Sequence, residues 1–276
     1  MDILYALEKI RTPFWNGVMS AVTQLGGEVI FIVAAVVVFW CVSKWEGYYL
    51  MTIAFCGTVL NQFLKLICRV PRPWVRDPNF TIVESARAEA TGYSFPSGHT
   101  QNAIGLFGGM ARWGGRRWVR LGLTALALVI AFSRMYLGVH YPRDVFAGLL
   151  LGVGISWLCA RLWDRALGHT GLFAATFGVM SLFLFVARSH DFFQLYGLFG
   201  GFAAGCAFEE RYVRFGMRDH TGRKAARFVL GLAVIGVIYA LGKLLPDLLW
   251  LVPVRYFLVA FAGYGLVPML FKKLGI

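Results

Sequence analysis

The sequence predicts an all-α fold: a polytopic membrane helical bundle. Hydrophobic residues make up 58% of the 276. Charged residues make up only 15%, against roughly 25% in a soluble domain. Runs such as VIFIVAAVVVFWCV and GLTALALVIAF, with their flanks, approach or reach the ~20 residues that cross a bilayer as a helix. No run alternates with period two, which excludes a membrane barrel.

Taken in order, residues 1–24 begin with an acid and break their apolar stretch with charges, unlike a cleaved signal. They read as an amphipathic segment at the membrane interface or as a tilted, imperfect span. Spans follow near 26–43, 48–67, 99–113, 117–135, 144–162, 170–187, 192–208, 226–245 and 253–271. The connections alternate in charge. One set holds Lys44, RWGGRRWVR, RLWDR, RYVRFGMRDHTGRKAAR and FKK, with more than half of the 27 Lys and Arg. The positive-inside rule places that set, and the C-terminus, in the cytoplasm of a cell-membrane protein. The other set, the PSGH segment and the loops near 136–143, 188–191 and 246–252, then faces the periplasm or extracellular side. This bias accounts for most of the net charge of +13. A nucleic-acid partner would need a coherent basic patch, and the sequence has none. The five cysteines are scattered without a CxxC pair, so neither a disulfide framework nor a zinc site is expected.

Three polar islands lie on the outer side, each at the end of a span: KLICRVPRP (65–73), PSGH (96–99) and SRMYLGVHYPRD (133–144). Ionisable groups at the membrane edge are costly and point to function. Lys65 shares a helix face with Asn61. Arg72 is held extended between Pro71 and Pro73. Arg134 ends another span. Three cations together suit an anion with several oxygens, and Arg in particular suits bidentate phosphate binding. Pro96 and Ser97 read as a helix start, whose free N–H groups accept phosphate, and Gly98 allows close approach to the backbone. Asp144 lies four residues after His140, with Pro142 at the first helical position. The carboxylate can hold one imidazole nitrogen protonated and leave the other free to attack. His99 supplies a second imidazole. One histidine attacking phosphorus and another protonating the leaving oxygen make a complete two-step hydrolysis. No metal is required if Lys and Arg neutralise the phosphate charge.

The three islands, K65-x6-R72-P73, P96-S97-G98-H99 and S133-R134-x5-H140-x3-D144, resemble the tripartite signature of the type 2 phosphatidic acid phosphatase (PAP2) superfamily. The resemblance covers residues 1–165. It implies a six-helix membrane core with residues 1–24 supplying the first segment. It also implies that His140 is a nucleophile forming a phosphohistidine, that Asp144 orients it and that His99 is the general acid. Lys65, Arg72, Ser97, Gly98 and Arg134 would cradle the phosphoryl group, with no metal or other cofactor. The expected partners are membrane lipids and a phosphorylated lipid substrate. An isoprenyl diphosphate such as undecaprenyl pyrophosphate is the first choice. Phosphatidic acid, phosphatidylglycerophosphate, a sugar phosphate and phosphoryl transfer to a lipid acceptor are the alternatives.

Residues 166–276 add about four membrane helices beyond that core. The long connection WVRDPNFTIVESARAEATGY reads as a lid or substrate-binding loop. Arg69, Arg76 and Arg143 are either extra cations for a diphosphate or headgroup anchors. Glycines four apart, at 197/201/205, 105/109 and 148/152, predict close helix contacts, more of them within the chain than between copies.

Overall fold

The computed structural model of the chain describes residues 1–113, 115–165, 168–184, 190–217, 221–246 and 248–276. Among them there are helices and no strand. In chain order these are α1 (Asp2–Lys9), α2 (Pro13–Gln24), α3 (Glu28–Cys41), α4 (Lys44–Cys68), α5 (Pro73–Arg76), α6 (Gly98–Ala103), α7 (Gly109–Trp113), α8 (Arg117–Tyr136), α9 (Pro142–Arg165), α10 (Gly168–Phe183), α11 (His190–Phe208), α12 (Thr221–Gly242), α13 (Val252–Phe261) and α14 (Val267–Leu274). Five stretches are long and apolar enough to cross a membrane: Lys44–Arg76, Arg117–Tyr136, Pro142–Leu162, Thr221–Gly242 and Val252–Leu274. Helices α2 and α3, bent by 49° where they meet, make a sixth if taken as one span. The chain is therefore a polytopic helical membrane protein, as its composition predicts.

The differences from the expected spans have local causes. The stretch 99–113 is helical throughout, with α6 passing through a π turn at Ile104–Gly108, among the glycines of IGLFGG, into α7. Helix α10 is short, and the end of the expected 170–187 span lies outside the described residues. Before α3, Thr12 caps α2 by accepting from Trp15 N at 3.3 Å, with Pro13 at the first helical position. Residues 1–24 thus fold as two short helices rather than one continuous span.

The chain divides into two compact units, Met1–Ala34 with Leu50–Ala160, and Ala35–Tyr49 with Arg161–Ile276. In the first, α8 packs against α2 and α6. Leu121, Leu128 and Phe132 on α8 and Leu150, Val153 and Trp157 on α9 are exposed. Such side chains suit lipid contact rather than a protein core. Glycines set the depth of α9 against α6. A Cβ on Gly148 would lie 2.7 Å from Ser97 O, and one on Gly152 would lie 3.0 Å from Gln101 O. No side chain fits there, so the two helix backbones meet closely.

The connection after α5 is strapped down. Tyr5 OH donates to Asp77 Oδ2 at 2.7 Å, and Glu8 accepts from the backbone and hydroxyl of Thr81. Arg11 donates to Thr81 O and Tyr136 O, both at 2.8 Å. Beneath these bonds Leu4, Phe80 and Tyr141 form one small buried cluster, and Ala86, Ala90, Tyr136, Leu137 and Val139 form another. The amphipathic character of α1 is thereby used: its apolar face covers the loop that leads to PSGH.

In the second unit α11 and α13 meet backbone to backbone. A Cβ on Gly197 would lie 2.2 Å from Pro253 O, and one on Gly201 equally close to Phe257 O. The small-residue face seen in the sequence is consumed inside the chain. Glu209, buried just after α11, accepts from Lys44 Nζ at 2.6 Å and from Tyr48 OH at 3.2 Å.

Candidate active site

The end of α4, the start of α6, the end of α8 and the start of α9 bring the three polar islands together in the first unit. His140 is 2% exposed, and Arg134, Asp144 and Ser97 are fully buried. Gly138 makes the turn that delivers His140. Its φ is +82°, and a Cβ there would meet Arg11 Nη2 at 2.7 Å and the Phe80 ring at 3.0 Å. Only glycine satisfies both demands.

Arg72 is aimed by its flanking prolines and fixed by backbone carbonyls. It donates to Thr91 O at 2.7 Å, Val139 O at 3.0 Å and Gly92 O at 3.1 Å. Its Nη1 also lies 2.9 Å from His140 Nε2. A guanidinium has no acceptor, so Nε2 must be the unprotonated nitrogen and Nδ1 carries the hydrogen; the network assigns this tautomer. Nδ1 faces Asp144 Oδ2 at 3.6 Å. That carboxylate is itself held by Ser94 Oγ at 2.5 Å and Tyr141 N at 3.0 Å. His140 and Asp144 lie side by side, but at 3.6 Å Nδ1 makes no hydrogen bond to the carboxylate; Pro142 is the first residue of α9. Burial, and then the charges of Arg72, Arg134, Lys65 and His99, push the His140 pKa well below the usual histidine range. The ring is neutral at pH 7 and stays so as the pH falls through about 6.5. Arg72 touches His140, and Arg134, Lys65 and His99 are near enough for their charges to act on it.

Arg134 is the group least satisfied by protein. Nη1 donates to Thr23 Oγ1 at 2.6 Å, while buried Nε and Nη2 have no hydrogen-bond partner among the described residues. A buried guanidinium with two unmet donors is unfavourable unless an anion meets them. Ser97 caps α6, accepting from Thr100 N at 3.4 Å and Thr100 Oγ1 at 2.9 Å. Its own N–H donates to Asp144 O at 3.0 Å, which ties PSGH to the start of α9. A Cβ on Gly98 would approach only Asn61 Oδ1, at 3.7 Å, so the backbone at the helix start is sterically open.

His99 Nε2 lies 3.0 Å from Glu89 Oε2. Glu89 is held below the usual carboxylate range, first by this hydrogen bond and in part by the charge of Arg134. An ionised partner favours the protonated imidazole, but burial and then the charge of Arg134 outweigh it and hold the His99 pKa down to about 4. The negative charge of a bound phosphate acts in the opposite direction, toward the protonated form a general acid needs. Sequence spacing gave no sign of Glu89, Ser94 or Thr23, because each comes from a loop or from the N-terminal helices. Glu89→Gln is expected to lower activity roughly 10- to 100-fold, the worth of a charged hydrogen bond. The loss should be larger for an alkyl phosphate than for p-nitrophenyl phosphate, whose leaving group needs little acid. Equal losses on both substrates would show that Glu89 does not act through His99.

Buried cations beside two imidazoles and a carboxylate in a membrane bundle suit phosphoryl chemistry. The PAP2 superfamily profile matches residues 45–167, and that of the PAP2 superfamily phosphatase transmembrane extension matches residues 193–276. Similar chains include a lipid A 4'-phosphatase from Bacteroides thetaiotaomicron, 29% identical over 57% of this chain and 73% of that one. A phosphatidylglycerophosphatase B from Bacillus subtilis is 27% identical over 54% of this chain and 75% of that one. An undecaprenyl-diphosphatase from Sulfolobus acidocaldarius is 31% identical over 53% and 70%. The chain belongs to the PAP2 superfamily.

Proposed function

We propose that this phosphatase hydrolyses a lipid phosphate or diphosphate at the outer membrane face through a phosphohistidine on His140. The observation that carries the proposal is the buried, neutral Nε2 of His140, set against Arg72 and close to Arg134. In the first step Nε2 attacks phosphorus, the N–P bond forms and the P–O bond to the leaving group breaks. The proton of His99 passes to the leaving oxygen. In the second step His99 takes a proton from water, the water oxygen attacks phosphorus and the N–P bond breaks. Lys65, Arg72, Arg134 and the backbone N–H groups at Gly98 and His99 hold the phosphoryl oxygens, whose charge grows in each transition state. As a phosphoryl group approaches, Arg72 Nη1 exchanges the Nε2 lone pair for an equatorial oxygen.

The first-choice substrate is an isoprenyl diphosphate such as undecaprenyl pyrophosphate. Supporting this, Arg76 and Arg143 flank Tyr141, next to the nucleophile, where a second phosphate would need them. The names of the similar chains from the three organisms above also fall within lipid phosphate chemistry. Inorganic phosphate release should be measured on undecaprenyl diphosphate, phosphatidylglycerophosphate, phosphatidic acid and glucose 6-phosphate, with and without EDTA. The diphosphate should turn over fastest and EDTA should leave the rate unchanged. A faster monophosphate would overturn the substrate choice, and activity restored only by Mg²⁺ would overturn the metal-free mechanism.

The outer location rests on the charge bias of the loops. A cysteine at Thr91, in a cysteine-free background, should react with an impermeant maleimide in intact cells. Reaction only after permeabilisation would put the site in the cytoplasm.

A further inference from the structure

The last turn of α2 lies outside the residues that the PAP2 profile matches, yet it and the residues after it touch the site. Thr23 is 1% exposed, and its Oγ1 accepts from Arg134 Nη1 at 2.6 Å. Three residues on, Gly26 lies against the backbone of His99. A Cβ on Gly26 would come within 2.9 Å of His99 O, 3.4 Å of His99 Cβ and 2.7 Å of Ile130 Cγ2. Gln24, between them, adds to the hydrogen bond from His99 in holding the Glu89 carboxylate below its usual range. One turn of chain thus reaches a cation of the phosphate cradle, the second imidazole and the carboxylate beside it.

This turn is held tightly. The carbonyls of Val22, Thr23 and Gln24 accept from Leu25 N at 3.1 Å, Gly26 N at 3.0 Å and Gly27 N at 2.9 Å. Such i→i+3 bonds close a helix end and satisfy its last carbonyls without solvent. The chain then bends by 49° into α3. Arg134, by contrast, is a long side chain that must present Nε and Nη2 in one plane, and neither has a hydrogen-bond partner among the described residues. The guanidinium is a rigid planar fork, so a bond that fixes Nη1 restricts where the other two donors point. A misplacement of about 1 Å in a positioned group can cost as much as a hundredfold in rate.

We infer that the end of α2 is a positioning element for the phosphatase reaction: Thr23 sets the plane of the Arg134 guanidinium, and Gly26 lets His99 sit at its working depth. The inference rests on the roles proposed above for Arg134 and His99. The two contacts act on different parts of the reaction. Thr23 works through a group that holds phosphoryl oxygens, so its effect is the same for any leaving group. Gly26 works through the group that protonates the leaving oxygen, so its effect depends on how much acid that oxygen needs. A turn that only stabilised the fold would not separate the two substrates in this way.

The test is steady-state phosphate release by the full chain in detergent, with melting midpoints, on p-nitrophenyl phosphate and on an alkyl phosphate. Thr23→Val, which has no acceptor, should lower kcat about tenfold on both substrates with KM little changed. Thr23→Ser, which keeps the hydroxyl, should recover most of that loss. In an Arg134→Ala background, Thr23→Val should cost less than about twofold further, because its partner is already gone. Gly26→Ala should cost about tenfold or more on the alkyl phosphate and much less on p-nitrophenyl phosphate. Thr23→Ala serves if Thr23→Val does not fold. Adding Ile130→Ala to Gly26→Ala leaves the His99 contact and serves if Gly26→Ala alone does not fold. Wild-type turnover in Thr23→Val beside an inactive Arg134→Ala, a full Thr23→Val loss in the Arg134→Ala background, or equal losses on both substrates in Gly26→Ala overturns the inference and leaves the site reading intact. A fully active Arg134→Ala would remove the cradle itself and the inference with it.

Discussion

His140→Ala is expected to reduce phosphate release roughly a thousandfold or more, because it removes the atom that bonds to phosphorus. The loss should be large for good and poor leaving groups alike, since the first covalent bond is lost with the ring. Folding should persist. The ring contacts Arg72, but that guanidinium keeps three backbone carbonyls without it. The checks are steady-state phosphate release and a thermal-unfolding midpoint in detergent. Substantial residual turnover in a variant that melts normally would mean that His140 is not the nucleophile.

Arg134→Ala is the second large effect. Among the described residues its Nε and Nη2 are buried without a hydrogen-bond partner, while Nη1 donates to Thr23. A donor pair held ready for the phosphoryl oxygens contributes to the transition state without reorganising. Removing such a donor costs about 10²- to 10³-fold in rate. Arg134→Lys should recover only part of the rate, because an ammonium keeps the charge and loses the planar fork. The melting midpoint should fall little or rise, since truncation relieves a buried charge. Full activity in Arg134→Ala, or complete rescue by lysine, would remove Arg134 from the phosphate cradle.

The parts of the site that could be read from the sequence are those fixed by local spacing. The four-residue spacing places His140 just before α9 and Asp144 in its first turn, with Pro142 between them. Ser97 before Gly98 is a cap by residue type alone. Pro71 and Pro73 fix Arg72 without reference to anything distant. The membrane class was equally legible, since hydropathy does not depend on how helices pack. What could not be read depends on contacts between distant segments. Glu89 meets His99 across a loop, Ser94 reaches Asp144 fifty residues on, and Thr23 meets Arg134 from α2. No periodicity encodes such pairs. The π turn within the 99–113 helix belongs here too, because it changes neither composition nor mean hydropathy. The requirement for glycine at 138 follows from a positive φ and from the approach of Arg11 and Phe80, which only the folded chain shows.

The most direct measurement is on the intermediate itself. The wild-type enzyme, mixed with ³²P-labelled lipid phosphate and quenched in alkali within the first turnovers, should carry a phosphoryl group stable to base and labile to acid. Peptide mapping should locate it on His140. His99→Ala, in which water is poorly activated, should accumulate more of it from a substrate with a good leaving group, and His140→Ala should carry none. Label on another residue, or labelling that survives in His140→Ala, would contradict the account.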